Sequence, residues 1–163
     1  MKPNASVEEK FDGWFVKPIK LLRDELPEGD GGFVAFIATL ALYERLIIAR
    51  LKISNLPTDE TSIKQEMSRD LRLTDGQRQI FWDMFRNGLL HQAMPKAGKT
   101  NYLFSAQYSG YPEFKTANGY TFICMDPWKF IDRVLQEYCS NPRLIVESNS
   151  FPLASVTTIK FDE

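Results

Sequence analysis

Apolar residues recur at helix-like intervals through the first half of the chain. Val7, Phe11, Trp14, Phe15, Leu21, Leu22 and Leu26 predict one such segment, in which Gly13 and Pro18 predict a kink or break. The glycines of Pro27-Glu28-Gly29-Asp30-Gly31-Gly32 predict a loop. From Phe33 the run FVAFIATLALYERLIIARLKI is apolar on most of its circumference, which predicts a helix central to the core. Its polar interruptions, among them Glu44, Arg45 and Arg50, argue for a buried helix and against a membrane span.

Residues 55–59 predict a turn, and Thr61 to Leu71 a more polar helix with Ile63, Met67 and Leu71 along one side. Thr74-Asp75-Gly76-Gln77 is a capping-box pattern: the threonine hydroxyl accepts from a backbone N–H that the helix leaves free, and the glutamine reaches back. It opens a helix carrying Ile80, Phe81, Met84, Phe85, Leu89 and Leu90. Beyond His91 the texture changes. Residues 102–108 and 120–125 read as two short strands, with the segment between them as a long hairpin loop. Asp126-Pro127 predicts the capped start of a last helix, ended by Asn141-Pro142, and residues 156–161 predict a weak additional strand. The expected fold is mainly α: a helical bundle over about 5–95, a small β-hairpin over about 100–125 and a C-terminal helix over about 126–140, all in one domain of 163 residues.

Composition narrows the function. Hydrophobic residues at 44% can build a core, and a net charge of -1 argues against attachment to nucleic acid or membrane by bulk charge. Two cysteines and one histidine supply neither a disulfide framework nor a His-rich metal site, so no metal or cofactor is expected. The acidic, polar N-terminus is no secretory signal, and the chain reads as soluble and cytoplasmic.

The densest chemistry lies in Arg86-Asn87-Gly88-Leu89-Leu90-His91. A guanidinium fits a phosphate through parallel hydrogen bonds, and an imidazole exchanges protons near neutrality. Asn87 stands one helical turn before His91, where it can orient the ring or touch substrate. These groups suffice for RNA cleavage in which the 2′-hydroxyl attacks its own phosphate while a base takes the proton and a cation holds the developing charge. On an ideal helix Arg86 and His91 stand roughly 140° apart, so a site shared by two copies is the more natural geometry.

The segment Phe85-Arg-Asn-Gly-Leu-Leu-His-Gln92 resembles the signature of HEPN (higher eukaryotes and prokaryotes nucleotide-binding) domains. The resemblance is tight over these residues and topological over roughly the first 95. It implies a helical bundle, a homodimer with the motif at its interface, and metal-independent RNA cleavage. It also implies Arg86 and His91 as catalytic, Asn87 as supporting, and a setting in toxin–antitoxin or phage-defence systems with an antitoxin or other partner protein. Some members add an acid from an earlier core helix, and Glu44, flanked by Leu40, Ala41, Ile47 and Ile48, matches that role. A plainer reading pairs Glu44 with Arg86 or Arg45, Arg86 with Asp83, and sets His91 to cap helix carbonyls.

The remaining motifs carry less. Ala93-Met-Pro-Lys-Ala-Gly-Lys-Thr100 imitates a phosphate-binding loop, but it follows a helix and precedes a strand, the reverse of what such a loop requires. Lys96 and Lys99 are candidate contacts to RNA phosphates, or a solvated turn. The strand aromatics Tyr102, Phe104, Tyr108, Tyr120 and Phe122 suit packing better than base stacking, because only Lys115 lies among them. The alternative to a ribonuclease is a non-catalytic helical module that binds a protein or nucleotide.

Overall fold

The computed structural model describes residues 5–27, 30–89, 95 and 99–147. Helix α1 runs as Val7–Phe11, a π-helical turn Asp12–Val16 and Lys17–Asp24. Helix α2 is Gly32–Ile53, α3 is Glu60–Leu71, and α4 is Asp75–Phe81 continued by a π-helical turn Trp82–Asn87. Strands β1 (Thr100–Phe104), β2 (Glu113–Ala117) and β3 (Tyr120–Met125) follow, then α5 (Pro127–Ser140) and α6 (Arg143–Glu147).

The helix ends follow local chemistry. Ser6 caps α1 with Glu9 reaching back, Asp59 caps α3 through the Ser62 N–H, and the Thr74–Gln77 capping box opens α4. Asp126 caps α5 by accepting from the N–H groups of Trp128 and Lys129, with Pro127 at the first position. Gly13 and Pro18 do not break α1. The expected interruption is a wider turn, after which Pro18 sits near the start of Lys17–Asp24, where its missing N–H is tolerated.

Helix α2 is the axis of the core. Phe36, fully buried, meets Phe85 of α4 at 5.4 Å, Phe104 of β1 at 5.1 Å and Phe130 of α5 at 5.3 Å, each edge-on, the arrangement aromatic quadrupoles favour. Ile63, Met67 and Leu71 turn inward from α3, as their spacing predicts. By length and composition α2 would reach across a membrane, but 56% of its apolar window lies buried within this fold.

The β region corrects the expected hairpin. The order is β1-β3-β2, and β1 pairs with β3 in parallel, Tyr102 opposite Ile123. The presumed loop contributes β2, which pairs antiparallel with β3, Phe114 opposite Ile123. Asn118 (φ 50°) and Gly119 (φ 76°) make that hairpin's turn, both in the left-handed region that a type I′ connection needs. The crossover from β1 is held by Gly110, where an added Cβ would lie 2.7 Å from the Lys129 carbonyl carbon on α5. The molecule is thus mainly helical with a small three-stranded sheet. The expected strand over 156–161 lies outside the described residues.

Candidate functional site

Helix α4 widens where the candidate residues begin. In the turn Trp82–Asn87 the Gly88 N–H reaches back to the Asp83 carbonyl, five residues earlier. Such π turns redirect side chains relative to a regular α-helix and occur often at functional sites. The turn keeps Trp82, Met84 and Phe85 buried and leaves Arg86 and Asn87 half-buried at the surface.

Arg86 turns toward α2. Its Nε and Nη2 donate to the two carboxylate oxygens of Glu44, each at 3.3 Å, and its Nη1 donates to Asn87 Oδ1 at 3.3 Å. The guanidinium also lies 4.9 Å from the centre of the Trp82 ring, a cation–π contact. Asn87 Nδ2 donates to Asp83 Oδ1 at 3.1 Å, and Gln79 Nε2 donates to Asp83 Oδ2 at 2.9 Å. Asp83 therefore holds Asn87, while Arg86 goes to Glu44. The apolar neighbours of Glu44 explain the choice: a half-buried carboxylate needs a charged donor to offset its lost hydration.

The surroundings are not basic. Lys64 of α3 lies 4.9 Å from the Trp82 ring and pairs with Glu60, whose carboxyl is held below its usual range by Lys64 and, more weakly, by Arg86. The cavity beneath Arg86, lined by Leu40, Glu44, Met67 and Trp82 among others, measures about 10 Å³, room for one water at most. A substrate can meet the guanidinium only from its solvent side, where 32% of the side chain remains exposed.

Of the sequence candidates, the structure brings Arg86, Asn87 and Glu44 together. His91 and Lys96 lie outside the described residues, and Lys99 is exposed immediately before β1. No group of three or more His, Cys, Asp or Glu side chains fit to hold a metal occurs among the described residues.

A second polar cluster escapes sequence reasoning altogether. Asp70 of α3 accepts from Tyr43 Oη at 2.7 Å, Arg50 Nη1 at 2.7 Å and Arg133 Nη1 at 2.8 Å, and Arg50 also pairs with Glu137 at 2.8 Å. Burial opposes ionisation of Asp70, but the Arg50 hydrogen bond, the Arg133 charge and the Tyr43 hydroxyl outweigh it and hold the carboxyl below its usual range. Burial, and next the Asp70 charge, push the Tyr43 phenol well above its usual value. Tyr43 also lines the cavity under Arg86, so this network braces the wall on which Glu44 stands. The hint in the sequence was Tyr43 and Arg50, two turns apart on an otherwise apolar helix.

Comparison of the chain with family models, with curated proteins and with solved structures finds no match.

Proposed function

We propose that this protein is a metal-independent endoribonuclease of the HEPN type, acting as a homodimer on RNA. The observation that carries the reading is the meeting of Arg86 and Asn87, at a widened helical turn, with Glu44 from the core helix 42 residues earlier. The resemblance implied an acid at that place before the fold was considered. In the reaction Arg86 stabilises the charge that develops on the phosphorane-like transition state. His91 transfers the proton between the 2′-hydroxyl and the leaving 5′-oxygen, giving a 2′,3′-cyclic phosphate and a 5′-hydroxyl. Glu44 and Asn87 orient the guanidinium so that its remaining N–H groups address the phosphate. Lys99, exposed beside the site's strand, and Lys96 supply phosphate contacts. The bundle is read as HEPN-like, and a place in toxin–antitoxin or phage defence with a partner antitoxin follows from the resemblance alone.

The test is RNA incubated with the protein in excess chelator, beside Arg86→Ala and His91→Ala. Cleavage by the native chain that falls at least about a hundredfold in either variant is expected for a transition-state donor and a proton-transfer group. Cleavage that needs a divalent ion, or survives both substitutions, sinks the reading.

One observation favours a second reading, the non-catalytic binding module. Glu44 already occupies both donors on one edge of Arg86, and Glu60 and Asp83 add negative charge nearby. A module of that kind keeps Arg86 for structure, and its partner binding survives Arg86→Ala and His91→Ala.

A further inference from the structure

Strand β1 is an edge. Among the described residues it hydrogen-bonds to β3 on one side, and nothing pairs with the other. An edge strand offers a row of N–H and C=O groups to any extended chain, and proteins ordinarily guard it with charge, proline or a bulge. The opposite edge is guarded: β2 carries Glu113 and Lys115, ion-paired at 3.8 Å. β1 reads Thr-Asn-Tyr-Leu-Phe, with no charge and no proline, and leaves Tyr102 37% and Leu103 44% exposed.

We propose that β1 pairs antiparallel with β1 of a second copy of this chain, about a twofold axis through Tyr102 and perpendicular to the sheet. The register sets Tyr102 opposite its own counterpart, Asn101 opposite Leu103 of the second copy, and Thr100 opposite Phe104 of the second copy. No like charges meet. The same operation on β2, centred on Lys115, would oppose two lysines, so charge selects β1 as the edge that accepts a copy of itself. A twofold axis perpendicular to the sheet keeps the helical layers of both copies on the same face of the joined sheet.

That placement bears on the candidate site. The Phe85 ring lies 6.2 Å from Tyr102 and 6.1 Å from Phe104, and Arg86 is the next residue. Paired strands run about 4.8 Å apart, so the two widened turns bearing Arg86 flank the axis on one face. This is the shared cleft that the Arg86–His91 spacing asks for; in its purpose, though not in its backbone geometry, the pairing rests on the ribonuclease reading.

Sedimentation velocity over a wide concentration range tests it, with two double variants at exposed positions. Asn101→Lys/Leu103→Lys sets lysines against lysines across the axis twice, and a dimer dissociation constant raised about tenfold or more is expected. Asn101→Glu/Leu103→Lys sets glutamate against lysine in the same register, and affinity within a few-fold of native is expected. Circular dichroism verifies that each variant folds, and should the lysine pair fail to fold, the glutamate–lysine variant alone still tests the register. A native chain that is monomeric overturns the proposal, as does a dimer indifferent to the lysine pair or not recovered by the glutamate–lysine pair. Sizing and cleavage separate the two readings: a β1 dimer that leaves RNA intact sinks only the ribonuclease, and a cleaving monomer sinks only the pairing.

Discussion

Glu44 and Arg86, on helices 42 residues apart in the chain, face each other through a two-point ion pair, each donor 3.3 Å from its oxygen. The Glu44 side chain is 21% exposed and Arg86 32%, so the pair belongs neither to the surface nor to the dry interior. Surface pairs contribute about 0–1 kcal/mol, and stranding one member of a buried pair costs about 3–5. Either Glu44→Gln or Arg86→Ala is therefore expected to destabilise the fold by about 1–2 kcal/mol. Urea unfolding of both single variants and the double closes a cycle, with a coupling of about 1 kcal/mol expected. A coupling near zero would show that the pair does not hold α2 to α4.

Asp70 carries more. It is 12% exposed and serves three donors, Tyr43, Arg50 and Arg133, from two other helices. Asp70→Asn leaves two guanidinium groups without their counter-charge and is expected to cost about 3 kcal/mol by urea unfolding, more than any change at Glu44.

The same residues set a pH window. Asp70 has a depressed folded pKa, so its stabilisation is complete above the unfolded carboxylate value of about 3.9 and is lost as pH falls through the folded value. Tyr43 has a raised folded pKa, so its contribution is complete below the unfolded phenol value of about 10 and is lost as pH rises toward the folded value. Urea midpoints of the native chain are expected to fall on both sides of that window. Asp70→Asn flattens the acid limb and Tyr43→Phe the alkaline one. Limbs unchanged by these substitutions would place the titrating groups elsewhere.

Two glycines separate close approach from open space. At Gly110 an added Cβ meets α5 backbone at 2.7–2.9 Å, whereas at Gly13 nothing lies within 4 Å. Gly110→Ala is expected to destabilise by about 1–3 kcal/mol through overpacking against atoms that cannot move aside. Gly13→Ala, in a helical segment, is expected to stabilise by about 0.5–1 kcal/mol. Thermal melts of the two variants should move in opposite directions.

What could be read from the chain beforehand was local. Thr74 with Gln77, and Asp126 with Pro127, announce helix starts because the groups they satisfy lie within three residues. The Asn118-Gly119 turn was equally readable, being the pair that a type I′ hairpin favours, and it would have revealed β2. The parallel match of β1 with β3 was not readable, since it depends on where the crossover through Gly110 lands on α5. The π turn at Trp82–Asn87 has no local signature. Glu44 showed its need for a cation through its apolar neighbours, but Arg86 and Arg45 were equal candidates until α4 packed on α2. The Asp70 network joins side chains from three helices and had no sequence spacing by which to be found.

The ion pair also gives the ribonuclease reading a signed consequence. If Glu44 holds Arg86 against an incoming phosphate, removing its charge removes both a competitor and a repulsive neighbour of RNA. Binding is then expected to tighten in Glu44→Gln, by up to about tenfold at low salt, with the gain shrinking as salt screens it. Orientation works the other way: a glutamine offers one acceptor where the carboxylate offers two, so the guanidinium loses its fixed aim and single-turnover cleavage is expected to slow. Fluorescence anisotropy with a 2′-deoxy-blocked RNA reads the first effect, and cleavage of the unblocked RNA reads the second. Tighter binding with slower cleavage is the expected pair of results. Weaker binding together with slower cleavage would mean that Glu44 supports substrate affinity, and the competition between carboxylate and phosphate would have to be abandoned.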